Sequence, residues 1–383
     1  MRALVGPSAR SQPGAVERGA SAMRLGYHPA LDGLRGIAIA LVVAFHAFGW
    51  PAGGTLGVDL FFVLSGFLIT TLLLEEHAAT RGISIRRFYA RRARRLFPAL
   101  AVMLAPFFLL AIAATAAGSF QTETIVGLGA ALTYTSNIVA ATDISAVPAA
   151  LVHLWSLAAE EQFYILWPII LIGLVRRGGT RLVFAAVALL LVFAIAYRFQ
   201  LVVRGASVGR LYYAPDTHAD SLLVGCALGC CFVRGWLPKR LIGSARLRTG
   251  VGATALALIA ATATLLDRLP PRLAYEAQLV PTGFAVMTAI LLVCTLAGTS
   301  ALSRGLGAGP LISLGRISYS LYLWHLPLLV AFAGVQPRFG FRTVAAVMAA
   351  IGVAAASRRF VESPLLRRRP GMERVPAAVG ATA

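Results

Sequence analysis

The sequence predicts an all-α fold, a polytopic transmembrane helical bundle of about ten helices with both termini in the cytoplasm. Its 383 residues are 58% hydrophobic and 13% charged, and the mean hydropathy is +0.78. A soluble core of this length cannot bury so much apolar surface. Apolar runs of about twenty residues, the length that a helix needs to cross a bilayer, recur along the chain. Lys and Arg collect between alternate runs, so lipid is expected to solvate much of the protein.

Ten apolar runs define the predicted spans. A further apolar segment, 125–140, is short and contains Gly and Thr, which favours a re-entrant or interfacial position. The predicted spans lie at approximately 31–49, 56–74, 97–117, 152–175, 181–203, 219–235, 249–267, 279–299, 314–334 and 343–361.

The placement of basic residues predicts the orientation. The two terminal stretches and every second loop hold 26 of the 35 Lys and Arg residues, whereas the intervening loops hold seven. Cytoplasmic loops carry such an excess, so both termini are expected in the cytoplasm and the number of crossings is expected to be even. The net charge of +20 is then a topology signal, and the expected partner is a lipid bilayer and not nucleic acid.

Three regions are expected along the chain. Residues 1–30 are polar and lack the apolar run of a signal peptide, which indicates a disordered cytoplasmic tail. Residues 31–361 form the transmembrane domain, and 362–383 form a basic cytoplasmic tail. Loop 118–151, the longest predicted external element, contains no Lys or Arg and is placed to cover an outward-facing site.

The cysteines indicate neither a metal site nor a disulfide. All of them lie within apolar runs, where a thiol behaves as a small hydrophobe, and their spacing matches neither a zinc site nor a disulfide framework. No metal is therefore expected. The four residues are Cys226, Cys230, Cys231 and Cys294.

The first span contains two polar residues on one helix face. Arg35 and His46 are eleven residues apart, which separates them by about 16 Å along the axis at nearly the same angle. In the predicted orientation Arg35 lies near the cytosol, where a guanidinium suits a phosphate-bearing molecule. His46 lies in the outer half, where an imidazole suits proton transfer or nucleophilic attack. Alternatively, Arg35 reaches lipid headgroups and His46 only packs.

The second span adds Asp59, Ser65 and Gly66. Small residues permit close helix packing, which is the alternative for Ser65 and Gly66. Asp59 is expected at the outer side of its span, at a depth comparable to His46. A carboxylate there can orient an imidazole and stabilise its protonated form.

An arginine-rich segment, RRFYARRARRLFP, precedes the third span. As a cytoplasmic anchor that meets anionic lipid, it accounts for much of its own charge. A phosphate-rich donor in the cytosol would be attracted to the same segment. Its arginines are Arg86, Arg87, Arg91, Arg92, Arg94 and Arg95.

The fourth span opens with HLWSLAAEEQFYILWP. His153, Glu160 and Tyr164 lie within about 40° of one helix face, and Glu161 is adjacent in sequence. Two neighbouring carboxylates in an apolar helix need partners. A purely structural ion pair is the alternative to a functional site.

Two later spans carry histidines. The sixth begins with Asp216, His218 and Asp220, which either cap the helix or contribute to a site. In the ninth, His325 lies at mid-span before Pro327, and a proline in a span frees backbone groups and often lines a cavity. Together the polar residues of several spans predict one interior that connects the two membrane faces.

These residues belong to strings that resemble those of acyltransferase family 3, the OafA-like membrane O-acyltransferases. The resemblance runs from residue 31 to 364. It implies transfer of an acyl group, commonly acetyl, from cytoplasmic acyl-CoA to a hydroxyl of a glycan, a lipid-linked sugar or a small natural product. It also implies a multi-pass protein of the bacterial inner membrane. The strings are LDGLRGIAIALVVAFH, GGTLGVDLFFVLSGFLIT, FYARRARRLFP, HLWSLAAEEQFYILWP, DSLLVGCALG, ISYSLYLWHLP and RFVESP.

The resemblance also implies residue roles. The Arg and His of the family's first helix match Arg35 and His46, and polar residues of its second and fourth helices match residues between Asp59 and Gln162 in this sequence. The expected catalytic residues are His46, Asp59, Glu160 and Glu161; the expected donor-binding residues are Arg35, Arg91, Arg92, Arg95, Ser65 and Gly66; the expected substrate-binding residues are His153, Gln162, Tyr164 and His325.

The hypothesis is that acyl-CoA enters from the cytosol with its phosphates on the arginines and its thioester towards His46. His46 either deprotonates the acceptor hydroxyl or accepts the acyl group transiently, held by Asp59 or a glutamate of the fourth span. Some relatives carry an extracytoplasmic esterase-like domain. None is expected here, so transfer to one would need a partner protein.

Two alternatives belong to other functional classes. A proton-coupled transporter of a polar metabolite would use the same histidines and carboxylates, but no internal repeat is evident, which disfavours this class. A non-catalytic scaffold would tolerate changes of Arg35 and His46.

Overall fold

The computed structural model describes residues 25–119, 122–266, 279–335 and 339–367, and all regular elements in these ranges are helical. This confirms the all-α prediction. The α-helices are α1 (Pro29–Phe48), α2 (Gly57–Thr80), α3 (Ile85–Ala116), α4 (Thr122–Leu132), α5 (Ser136–Thr142), α6 (Leu154–Val203), α7 (Val208–Tyr213), α8 (Ala219–Arg234), α9 (Lys239–Gly243), α10 (Ala245–Leu265), α11 (Leu279–Leu296), α12 (Ala301–Leu306), α13 (Gly309–Ala333), α14 (Phe341–Ser357) and α15 (Ser363–Arg367).

Each predicted span coincides with helix, although the number of crossings stays a prediction. Within the described ranges, six helical segments are long and apolar enough to cross a membrane. One of them, α6, has 50 residues, about 75 Å, or more than twice the apolar thickness of a bilayer. It breaks at Gly178 and Gly179, where the backbone leaves helical geometry, between the predicted spans 152–175 and 181–203. The six segments are Pro29–Phe48, Ala52–Thr80, Ile85–Ala116, Leu154–Val203, Ala245–Leu265 and Phe341–Leu366.

The apolar segment 125–140 is divided between two short helices. α4 ends at Leu132 and α5 begins at Ser136, and Tyr134 between them has a positive φ of 53°. At 11 and 7 residues, neither helix is long enough to cross. A re-entrant or interfacial position remains the prediction for this segment.

The predicted tails lie mostly outside the described residues, and the domain limits of 31 and 361 stay predictions. Residue 25 is tied to the bundle, because its backbone N–H donates to Glu75 Oε1 at 2.6 Å, and α1 begins at Pro29. At the other end Glu362 is buried in a π-helical turn, Arg358–Glu362, that follows α14.

Glycines bring two pairs of helices into backbone contact. α1 packs along α13, and α2 packs along α8. A Cβ atom on Gly315 of α13 would lie 1.8 Å from the carbonyl oxygen of Asp32, and one on Gly66 of α2 would lie 2.0 Å from that of Leu222. Small residues at such crossings allow helices to associate in lipid. These two contacts bring the polar faces of α1 and α2 towards one interior.

The outer surface of the bundle is apolar. On α3, Leu109, Leu110 and Ile112 are each about two-thirds exposed, and on α6 Leu189 and Phe193 are similarly exposed. Such a surface would be unstable in water but suits lipid tails. The structure therefore supports the bilayer as the solvent of these helices.

Candidate active site

One cavity lies at the meeting point of five helices. Its volume is about 90 Å³, and it lies between Arg35 of α1, Ser65 of α2, Arg92 of α3, Glu160 of α6 and Tyr322 of α13. Polar side chains and aromatic rings share its wall, as in most small-molecule sites. The other polar residues that line it are Arg95, Ser156, Glu161, Tyr164, Ser318 and Tyr319.

The arginines of α3 divide between the cavity and the surface. Arg92 and Arg95 are three residues apart, so the helical period places both on the cavity face. Arg91 is 58% exposed and lies 3.9 Å from Glu76. Of the arginines expected to bind a donor, Arg35, Arg92 and Arg95 thus lie together, and Arg91 lies apart from them.

Positive charge in the cavity is only partly neutralised. Arg92 Nη2 lies 4.0 Å from Glu161 Oε1, and its guanidinium carbon lies 3.2 Å from the centre of the Tyr164 ring. Within the described part of the chain, neither Arg35 nor Arg95 has a hydrogen bond or an ion pair. Partly buried cations that have no carboxylate within ion-pair distance favour a bound anion.

The two glutamates of α6 have different surroundings. Glu160 accepts hydrogen bonds from Ser65 Oγ and Tyr164 OH, which ties α2 to α6. Glu161 faces Arg92, and its Oε1 is buried without a hydrogen bond to any described residue. Glu160 is thus held by hydroxyl groups, whereas Glu161 has acceptor capacity left in the cavity.

Three histidines form a second polar cluster. His325 Nε2 lies 3.4 Å from His46 Nδ1, and the centres of these two rings are 5.1 Å apart. The His153 ring centre lies 5.0 Å from that of His325. Histidines of α1 and α13 and the residue preceding α6 therefore meet, although 279 residues separate His46 from His325.

Tyr322 separates the arginine-lined cavity from the histidines. It lines the cavity, and its ring centre lies 5.4 Å from that of His153 and 5.5 Å from that of His325. Its hydroxyl lies 2.5 Å from Ser156 Oγ and donates to the His153 carbonyl oxygen at 2.5 Å. The expected division between a cationic end and an imidazole end is present, with a tyrosine between them.

Asp59 pairs with a different histidine from the one expected. Its Oδ1 lies 3.6 Å from His218 Nδ1 and accepts a hydrogen bond from Ser221 Oγ at 2.8 Å. Because α2 packs closely on α8, Asp59 faces that helix and does not hold His46. His218 was expected either to cap its helix or to contribute to a site, with no partner named. The structure places it beside Asp59.

Two further expected site residues lie outside the cavity wall, as do His46, Asp59, Arg91, His153 and His325. Gln162 exchanges two hydrogen bonds with Asn137 and donates a third to the Tyr134 carbonyl oxygen, which fastens α5 to α6. Gly66 lies against the backbone of α8. Helix packing, the alternative considered for Gly66, accounts for its position.

Sequence reasoning assigned no role to Glu362. This residue is 3% exposed and accepts a hydrogen bond from Ser320 Oγ at 2.5 Å, and Ser320 also bonds Ser357. It acts electrostatically on Arg95, so the C-terminal turn brings a carboxylate to the cationic end. The string RFVESP was the available signal, because it ends an apolar helix with a carboxylate.

The described residues contain no group of three or more His, Cys, Asp or Glu placed to hold a metal ion. The four cysteines are free thiols, and three of them are buried.

Comparison with known proteins identifies the family of this arrangement. The model of the acyltransferase domain family matches residues 28–357. No solved structure matches the chain.

Three curated relatives match most of this chain. Peptidoglycan O-acetyltransferase OatA of Listeria monocytogenes is 32% identical in an alignment of 358 positions that covers 88% of this chain and 56% of that protein. YrhL of Bacillus subtilis, whose name describes a candidate peptidoglycan O-acetyltransferase, is 35% identical over 88% of this chain and 55% of its own length. O-acetyltransferase OatA of Staphylococcus aureus is 29% identical over 89% and 58%, respectively. The chain thus spans little more than half the length of these relatives.

Proposed function

This chain belongs to the acyltransferase family, and on that premise we propose that it is a membrane-embedded O-acyltransferase. It moves an acetyl group from cytoplasmic acyl-CoA to a hydroxyl of a glycan. The glycan class that its relatives favour is peptidoglycan, which the name of the Listeria protein specifies. The proposed location is the bacterial inner membrane.

The observation that carries this proposal is the cationic end of the cavity. Arg35, Arg92 and Arg95 line one space, and among the described residues only Arg92 has a carboxylate within ion-pair distance, at 4.0 Å. Guanidinium groups bind phosphate oxygens with paired N–H donors. CoA carries phosphates at one end and its thioester at the other, so arginines would hold the nucleotide end while the thin pantetheine arm extends along the cavity.

The proposed chemistry takes place at His46. The imidazole removes the proton of the acceptor hydroxyl, and the oxygen forms a bond to the acyl carbon. The carbon–sulfur bond of the thioester breaks, and the CoA sulfur leaves with the proton that His46 carried. A neutral imidazole suits this exchange because it can accept a proton and return it at physiological pH.

The remaining predicted residues have supporting roles in this proposal. Glu160, held by Ser65 and Tyr164, shapes the cavity wall, and Glu161 balances part of the charge of Arg92. Asp59 keeps α2 and α8 in register through Ser221 and His218. Gln162 fastens α5, which is part of the predicted external loop, to α6 through Asn137.

The experiment that tests the proposal follows radiolabelled acetyl groups. Membranes that contain the full chain receive acetyl-CoA labelled in the acetyl group together with muropeptide fragments, and the label is measured on glycan and on protein. We expect transfer by the wild type and loss of transfer in His46→Ala at equal protein level. Unchanged labelling in both His46→Ala and Arg35→Ala would contradict the mechanism.

A transporter remains the alternative, and neither the family match nor the sequence favours it. Labelled acetyl-CoA distinguishes the two functions, because a transporter without acyltransferase activity would leave the thioester intact. A scaffold would likewise leave it intact.

A further inference from the structure

We propose that His325 is a positioning residue that orients the ring of His46 and stabilises its protonated form, in the place where a carboxylate was expected. The inference rests on the proposed function, in which His46 transfers the proton. It assigns to a neutral histidine the role that a carboxylate has in other catalytic sites.

The first step is the surroundings of His46. Its Nδ1 lies 2.9 Å from the carbonyl oxygen of Val42 and 3.4 Å from His325 Nε2. A carbonyl oxygen only accepts hydrogen bonds, so Nδ1 of His46 carries the proton. In the neutral ring the lone pair is then on Nε2, the atom that would take the proton of a hydroxyl group.

The second step is the tautomer of His325. Its Nδ1 lies 2.7 Å from the carbonyl oxygen of Tyr322, so this nitrogen also carries a proton. Nε2 of a neutral His325 is therefore an acceptor, and it faces the Nδ1–H of His46. The two backbone carbonyl groups thus set the tautomer of each ring, and the contact between the imidazoles sets their relative orientation.

The third step concerns the charge that develops on His46. When Nε2 takes a proton, the Nδ1–H becomes the N–H of a cation, and hydrogen bonds from charged donors are stronger than those from neutral ones. The lone pair of His325 stabilises this cation without requiring a buried anion. His325 is completely buried, so water does not replace it as the acceptor.

None of the carboxylates expected to hold His46 has a described contact with it, and Glu161 faces Arg92 instead. Asp59 pairs with Ser221 and His218. Glu160 is held by Ser65 and Tyr164. Because a histidine that orients a general base must contact it, the contact of His325 with His46 favours His325 for this role.

The test compares two substitutions at position 325. His325→Phe keeps a ring but removes the acceptor, whereas His325→Gln provides an amide oxygen that can accept from His46. We expect His325→Phe to lower kcat for acetyl transfer about 10- to 100-fold, by analogy with the loss when the hydrogen-bond partner of a metal-bound histidine is removed. The KM for acetyl-CoA should remain within about twofold, because the donor site is separate. His325→Gln should recover part of kcat.

A spectroscopic measurement separates positioning from loss of folding. In ¹⁵N-histidine NMR spectra of the full chain, assigned with single-histidine variants, wild-type His46 should show a protonated Nδ1 and an unprotonated Nε2. His325→Phe should retain this tautomer, because the Val42 carbonyl oxygen still accepts from Nδ1, but it should lower the pH at which His46 becomes protonated. A wild-type His46 protonated on Nε2 would overturn the inference whatever the activity, and so would wild-type kcat in His325→Phe.

The two proposals fail differently. If the wild type transfers no acetyl group, the proposed function is wrong, and the NMR spectra still decide whether His325 stabilises the protonated form of His46. If His46→Ala loses transfer while His325→Phe retains the wild-type kcat and the wild-type titration of His46, the proposed function stands and this inference is wrong.

Discussion

Arg91, Arg92 and Arg95 are close in sequence but differ in what they contact. Arg92 and Arg95 line the cavity, and Arg91 lies beside Glu76 at the surface. The reason is the helical period, since a separation of three residues retains a face and a separation of one changes it by about 100°. Only two of the three expected donor-binding residues of α3 can therefore reach a ligand in the cavity.

This difference leads to a prediction for the donor. Arg95→Gln should raise the KM for acetyl-CoA at least about tenfold, because a hydrogen bond to a charged group contributes about 1.5–3 kcal/mol. The matched control is Arg91→Gln, which should leave this KM within about twofold of wild type. Initial rates of acetyl transfer at varied acetyl-CoA concentration provide the measurement.

Acetyl-pantetheine supplies a second comparison, since it lacks the nucleotide phosphates. Arg95→Gln should affect its KM little. Equal losses with both donors would mean that Arg95 acts on the thioester or on folding, and not on the phosphates.

At the scale of helices, close packing depends on individual glycines. Gly315 of α13 contacts the backbone of α1 at Asp32, where an added Cβ would lie at 1.8 Å. Gly352 of α14 has no atom within 4 Å of the corresponding position. Two substitutions of the same kind therefore probe opposite environments.

We predict that Gly315→Ala lowers the stability of the bundle by about 1–3 kcal/mol or more, as overpacking does in other cores. Gly352→Ala should be neutral or stabilising by up to about 1 kcal/mol, because Ala favours helix over Gly. Melting temperatures in detergent check both. Equal melting temperatures for the two variants would show that α1 and α13 do not pack as described.

A buried ion pair joins three helices. Arg198 of α6 and Asp220 of α8 form a bidentate pair with N–O distances of 2.8 and 3.2 Å, and Thr282 of α11 bonds to both. Arg198 is 4% exposed and Asp220 is 1% exposed. Arg198 is one of the seven Lys and Arg residues that the topology prediction assigned to the intervening loops. The structure buries it within α6.

Removing one partner of this pair should be more harmful than removing both. We predict that Arg198→Met lowers stability by about 3–5 kcal/mol, because it leaves a buried carboxylate unpaired, and that adding Asp220→Leu restores much of the loss. The exposed pair Arg210–Asp216 is the control, and Arg210→Met should change stability by at most about 1 kcal/mol. Chemical unfolding in mixed micelles measures the stability of each variant. If the double variant is the least stable, the prediction is wrong.

At the scale of the whole molecule, the orientation in the membrane is still a prediction. The distribution of Lys and Arg predicts cytoplasmic termini and an external segment 118–151. We expect a C-terminal fluorescent protein fusion to fluoresce. A cysteine replacing exposed Ser145 should react with a thiol reagent that does not cross membranes, whereas one replacing exposed Arg81 should react only after permeabilisation. The reverse labelling pattern would invert the topology and place the arginine end of the cavity outside.

The sequence by itself determined the membrane character, the helical class, the approximate limits of the helices and, through its motifs, the family. These properties follow from local patterns, because hydrophobic length, helical period and basic loops are readable within about twenty residues. It also indicated candidate site residues, among them Arg35, Arg92, Arg95, His46 and His325.

Only the tertiary structure decided which of these residues meet. His46 contacts His325, Asp59 contacts His218, and Glu362 reaches Ser320, in each case from a different part of the chain. The rotation and spacing of neighbouring helices depend on backbone contacts such as those at Gly66 and Gly315. Each residue step along a helix changes the direction of the side chain by about 100°. These long-range contacts, and not the local sequence, therefore determine which side chains share a site.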